Sequence, residues 1–143
     1  MPNPAKRNEI MEKLEEIMKS MTFEFFGSGA HKVKAGDHFS KENALFLDVR
    51  SIEEADSLSF KLIHHMPVLH IPIEEIPDRK GEIPENKHIG IFCSSGVRAT
   101  IVYAYLRANG YGNVRILEGG YSGIMEEFKP GKLLKKMKNK RME

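Results

Sequence analysis

Apolar residues recur every three or four positions between Asn8 and Met21, where Ile10, Leu14, Ile17 and Met21 form a stripe that Met11 and Met18 broaden. Glu9, Glu12, Lys13, Glu15, Glu16 and Lys19 take the other side. That spacing predicts an amphipathic helix on the domain's own surface, with a second copy of the chain as the alternative occupant of the stripe. Thr22–Phe26 reads as β-prone, and Gly27-Ser28-Gly29 then breaks the chain, so residues 1–30 are expected to form an arm or accessory layer. From there the pattern shifts to short continuous apolar runs: Ala44–Leu47, Val68–Ile71, Ile89–Phe92 and Val114–Leu117. Such runs suit strands buried on both faces of a parallel sheet. Helical stretches separate them. One starts at Ser51, with Glu54 three residues on as a capping box. Another runs through Ile101–Ala108 to stops at Gly110 and Gly112, and a last one lies around Ser122–Phe128. Pro77–Pro84, rich in proline and charge, reads as a loop. The alternation predicts an α/β domain over residues 31–128, a mostly parallel sheet flanked by helices.

Composition narrows the chemistry. At 143 residues the chain is the size of one domain, and 41% apolar with 29% charged residues is ordinary for a globular protein. No apolar run reaches the ~20 residues of a membrane span. Met1–Lys13 lacks the apolar stretch of a secretory signal, so a cytoplasmic address is expected. The last fifteen residues hold seven basic residues and one acidic, a net +6. A chain of +2 overall therefore carries −4 over its first 128 residues, and residues 129–143 read as a solvated, poorly ordered basic tail. A mildly acidic body does not imply a nucleic-acid partner. The six histidines (His31, His38, His64, His65, His70, His88) show no metal-ligand spacing, so no metal and no cofactor are expected.

Cys93 is the one cysteine. An internal disulfide and a multi-thiolate zinc site are thereby excluded. It follows the run Ile89–Phe92 and precedes a helix, and in parallel sheets that is where sites form. The segment Cys93-Ser94-Ser95-Gly96-Val97-Arg98 has the make-up of an anion cradle. Successive backbone N–H groups from Ser94 to Arg98 can curl into a nest, at the positive end of a helix dipole. Gly96 allows a tight turn, the two serines leave room for a ligand, and Arg98 adds a cation. Those surroundings favour the reactive thiolate over an inert, packed thiol.

Three motifs in order, Leu47-Asp48-Val49-Arg50, Cys93-x-x-Gly96-x-Arg98 and Gly119-Gly120, resemble those of the rhodanese-like family over roughly Ala44–Phe128. The resemblance implies a central, mostly parallel five-stranded sheet flanked by helices. It also implies a sulfurtransferase: Cys93 takes a sulfane sulfur from thiosulfate or a persulfide and holds it as its own persulfide. A thiol, cyanide or a sulfur-relay partner protein then removes it. Ser94, Ser95, Gly96, Val97 and Arg98 are the expected substrate-binding loop, with Asp48 and Arg50 supporting it. Two departures stand out. Family members often carry a Trp after the Gly-Gly pair, where this chain has Ile124 nearby and no Trp at all. Leu62–Pro67 lacks the glycines usual before the next strand, so a changed substrate-facing rim is expected. The competing readings are a non-catalytic scaffold or persulfide carrier and a cysteine-dependent phosphatase. The phosphatase signature holds five residues between Cys and Arg, and this chain holds four.

Overall fold

The structure, a computed structural model, describes residues 3–141. Five strands, β1 (Lys32–Lys34), β2 (Ala44–Asp48), β3 (Val68–His70), β4 (His88–Phe92) and β5 (Val114–Glu118), form one sheet in the order β1-β5-β4-β2-β3. Every pairing is parallel. The helices are α1 (Pro4–Ser20), α2 (Phe23–Ser28), α3 (Ala35–Phe39), α4 (Ile52–Ser57), α5 (Ile76–Arg79), α6 (Val97–Ala108), α7 (Gly120–Glu126) and α8 (Pro130–Arg141).

The two-residue period of the central strands sorts their side chains into two cores. Leu45, Leu47 and Val49 of the β2 segment join Ile89, Ile91 and Cys93 of the β4 segment on one face, beneath α6. Ala44, Phe46 and Phe92 join Phe39, Leu117 and Ile124 on the other, beneath α3 and α7. Cys93 therefore continues the α6-facing row of β4, the middle strand of the sheet.

The four apolar runs and the capping box of Ser51 and Glu54 appear as expected. Four local expectations are corrected. Thr22–Phe26 is not a strand: Thr22 Oγ1 accepts from the Phe25 N–H at 3.2 Å and Gly29 closes the other end at φ 70°, so two caps override the β preference of the phenylalanines. The stretch expected as loop, Pro77–Pro84, instead holds most of α5 and the 3₁₀ turn that follows it. The basic tail is α8: Leu133 and Met137 are half-buried, and Lys136 Nζ donates to the Phe39 carbonyl at 2.6 Å. The first helix begins at Pro4, because Asn3 caps it by accepting from the Lys6 N–H at 2.8 Å. It lies along α6 with Ile17 buried, which is the own-domain packing of its stripe. Of the expected arm and tail, residues 1, 2, 142 and 143 lie outside the described residues.

His38 gives the fold an acid sensitivity. It is 1% exposed, and its Nε2 lies 3.0 Å from the Leu45 carbonyl, which can only accept, so Nε2 carries the proton. Its ring occupies the space a side chain at position 90 would need: a Cβ on Gly90 would stand 2.6 Å from Nε2. Burial pushes the His38 pKa down from 6.5 to about 4, against the opposing hydrogen bond to Leu45. Burial also lowers His31 and His65. The unfolded chain then binds protons below pH 6.5 that the folded chain refuses until about pH 4. Stability is expected to fall as pH drops through that window, by roughly 3 kcal/mol from His38 alone. Urea titrations between pH 7 and 4 measure it, and His38→Gln, which keeps an N–H for Leu45, should flatten the slope.

Candidate active site

β4 ends at Phe92, and the chain makes one tight turn before α6 starts at Val97. Gly96 closes that turn at φ 90°, a left-handed conformation that disfavours side chains, and offers α6 no side-chain cap. The sulfur of Cys93 takes that place. Its Sγ accepts from the Gly96 N–H at 3.1 Å and from the Ala99 N–H at 3.3 Å, two of the donors that a helix start leaves unpaired. Cys93 is 2% exposed, whereas Ser95 and Val97 on the same turn face solvent. The thiol thus lies at the floor of the turn, at the positive end of a twelve-residue helix.

Arg98 lies on the first turn of α6 and is already partnered. It forms a two-pronged pair with Glu54 at 2.6 and 2.9 Å and donates to Ser94 Oγ at 3.0 Å. The Arg98 hydrogen bonds, with the Ser51 N–H, hold the Glu54 carboxyl well below its usual range, at about 2. The cation that Arg98 adds to the turn is therefore neutralised by α4. Glu54 performs two tasks, capping α4 and holding Arg98, and only the first is visible in its spacing from Ser51.

Asp48 and Arg50 are not a surface pair. They are 2% and 0% exposed, and the guanidinium reaches Asp48 at 2.9 and 2.7 Å. Its remaining nitrogen donates to Tyr121 Oη at 2.9 Å and towards the Glu54 carbonyl at 3.4 Å. The rings of Phe60, Phe92 and Tyr121 surround it at 5.3–5.5 Å. Burial works against its charge, and the bonds to Asp48 and Tyr121 outweigh that, so the pKa is raised overall. Through Glu54 and Tyr121 this buried pair ties the end of β2 to both walls of the cysteine turn.

The second wall is the Gly119-Gly120 turn. Gly120 approaches the Ser94 carbonyl so closely that a Cβ there would stand 3.1 Å from it. Between the two turns opens a cleft of about 740 Å³, lined by Ser94–Val97, Gly119–Ser122, His31 and Lys32. Tyr121, His31, Lys32 and Glu54 are the site residues that the motifs did not point to. An aromatic directly after the Gly-Gly pair was the available signal for Tyr121; Ile124 instead packs in the core at 1% exposure. Leu62–Pro67 does not shape this rim. Pro67 accepts from the Phe46 N–H, and His65, Met66 and Pro67 lie at the entry end of the strands, away from Cys93.

A family model described as "Rhodanese-like domain" matches residues 32–127, from β1 to the end of α7. The chain belongs to that family. A tRNA sulfurtransferase of Mannheimia succiniciproducens is 35% identical over 78 residues, 54% of this chain and 16% of that protein. The chain thus spans about a sixth of the length of the curated relatives it matches. Among solved structures, a rhodanese-related protein from Thermoplasma volcanium is 25% identical, with a TM-score of 0.58, 70% of this chain and 95% of that one covered. A NAD-dependent persulfide reductase from A. fulgidus is 32% identical, with a TM-score of 0.51, covering 66% of this chain and 16% of that one. The rhodanese-like domain accounts for the sheet, the cysteine turn and the Gly-Gly turn; α1, α2 and α8 lie outside the matched residues. No described helix is long and apolar enough to cross a membrane.

Proposed function

We propose that this rhodanese-like domain is a sulfurtransferase that carries sulfane sulfur on Cys93. The observation that supports it most is the sole cysteine at the start of α6, with two backbone N–H groups directed at its sulfur and a cleft lined by the turn that follows it. The Cys93 thiolate attacks the donor's sulfane sulfur. An Sγ–S bond forms as the donor's S–S bond breaks, and the bonding pair leaves on sulfite from thiosulfate, or on a thiolate from a persulfide. The acceptor, a thiol or cyanide, then attacks the outer sulfur, and the electron pair returns to Cys93. In each step the bonding pair leaves on an anion stable at neutral pH, sulfite or a thiolate, so no general acid and no second cysteine is required. The turn's N–H groups and the helix dipole stabilise the charge on the persulfide. A reducing, cytoplasmic compartment would keep the thiol available, and a relay partner's persulfide would serve as donor. Incubation with a persulfide donor should add the mass of one sulfur atom to the chain, removable by cyanide. A protein that gains no sulfur from any donor and hydrolyses an aryl phosphate would overturn the proposal in favour of phosphatase chemistry.

The Glu54–Arg98 pair supports a persulfide over thiosulfate as donor. Thiosulfate is a dianion, and the arginine that would meet it is held by a carboxylate at 2.6 Å. Glu54→Gln keeps the capping geometry and removes that charge. It is expected to raise kcat/KM for thiosulfate roughly tenfold relative to an organic persulfide, the worth of about one charge-assisted hydrogen bond. Steady-state rates with both donors check this, and an unchanged ratio would show that Glu54 does not set donor choice.

A further inference from the structure

Helix α8 turns the basic end of the chain into a wall. Lys132 pairs with Glu127 at 3.0 Å and Lys136 donates to the Phe39 carbonyl, which holds the helix across the entry ends of the strands. It encloses a cleft of about 770 Å³ against α3 and the segments leading into β2, β3 and β4. Six lysines line it: Lys41, Lys87, Lys132, Lys135, Lys136 and Lys140; Glu42 and Glu127 oppose them. Lys41, Lys87, Lys135 and Lys140 have no ion-pair partner among the described residues. Lys132, Lys136 and Lys140 repeat at four residues, a stripe of charges about 6 Å apart along the helix. His65 completes the wall between Phe39 and Phe128, and its buried Nδ1 has no hydrogen-bond partner among the described residues. The −4 of residues 1–128 hides this feature, because Lys41 and Lys87 meet the tail's charges only once α8 has folded back.

We propose that this cleft binds the phosphate backbone of a nucleic acid. Lysine is depleted from protein–protein interfaces, which rely on aromatic and apolar anchors, and among the described residues no exposed large apolar side chain lines the cleft. Its described cations are all lysines, point charges that can meet phosphate oxygens spread along a backbone without a fixed fork geometry. Phe39 is buried, so no exposed ring serves as a stacking platform for single bases, and recognition rests on the backbone alone. Lys87 precedes β4 and Cys93 follows it, which puts the cleft about 20 Å from the thiol along the strand. Binding there leaves the sulfur site open and does not depend on the sulfurtransferase reading.

The probe is a labelled RNA duplex of about 20 base pairs, titrated with the full chain by fluorescence anisotropy between about 50 and 200 mM salt. The logarithm of the binding constant should fall linearly with that of salt, with a slope of about −3.6 for four engaged lysines. Lys135→Glu with Lys140→Glu should weaken binding at least tenfold and flatten the slope. Lys41→Gln with Lys87→Gln, which leaves α8 unaltered, should act in the same direction. Lys6→Glu with Lys13→Glu on α1 should change little. Failure to bind at 50 mM salt, or binding indifferent to both cleft variants, would overturn the proposal. Displacement of the RNA by polyglutamate at equal charge would overturn it too, in favour of an acidic protein partner.

Discussion

Cys93→Ser is expected to fold like the parent chain and to transfer no sulfur. The serine hydroxyl is smaller but accepts hydrogen bonds, so the Gly96 and Ala99 N–H groups that now meet Sγ keep a partner, and the start of α6 stays capped. A melting temperature within a few degrees of the parent's is the expected outcome, since the change removes little volume and leaves no buried donor unpaired. Chemistry is a different matter. A hydroxyl ionises far too weakly at neutral pH to attack without a base, and among the described residues no side-chain base is hydrogen-bonded to the sulfur's position. The mass gain from a persulfide donor should vanish, and thiosulfate–cyanide turnover should drop to the uncatalysed rate. Turnover that survives in a well-folded Cys93→Ser protein would mean that sulfur is not carried on this thiol. The scaffold reading would then take precedence.

The parts of the molecule legible in the sequence are those whose signal is local. Four apolar runs became four strands, β2 and β4 buried on both faces, β5 largely so and the edge strand β3 half-buried, and the capping box of Ser51 and Glu54 was complete within four residues. The Cys93 turn could be placed from one strand end and one glycine. β1 left no such trace: Lys32-Val33-Lys34 is a three-residue edge strand with one apolar side chain, fixed by its pairing with β5. The same holds for the partners in the site. Nothing near Arg98 indicates that it would be neutralised from 44 residues away, and Tyr121 meets Arg50 across 71. Charge shows the point most clearly. Counted along the chain, the lysines of residues 129–143 form a tail; counted in space, they form one side of a cleft.

Arg50→Met is expected to cost about 3–5 kcal/mol of stability, because it strands the Asp48 carboxylate in the core with neither charge partner nor solvent. For a chain of this length that is a loss of roughly 10 °C in melting temperature. The double variant Asp48→Leu with Arg50→Met removes both charges, and apolar pairs of similar size commonly match a buried ion pair. It should therefore recover most of the stability lost by the single change. Sulfur transfer should not recover with it. Arg50 also donates to Tyr121 Oη and towards the Glu54 carbonyl, so it positions the elements that carry both walls of the cysteine turn. A restored melting temperature with a depressed kcat would identify Arg50 as a positioning residue for the Cys93 turn. Full recovery of both would reduce the pair to a packing device. Arg50→Lys sharpens the distinction, since one ammonium can answer Asp48 but cannot also reach Tyr121 and Glu54 from a planar fork. It should keep more stability than Arg50→Met while sharing its loss of rate.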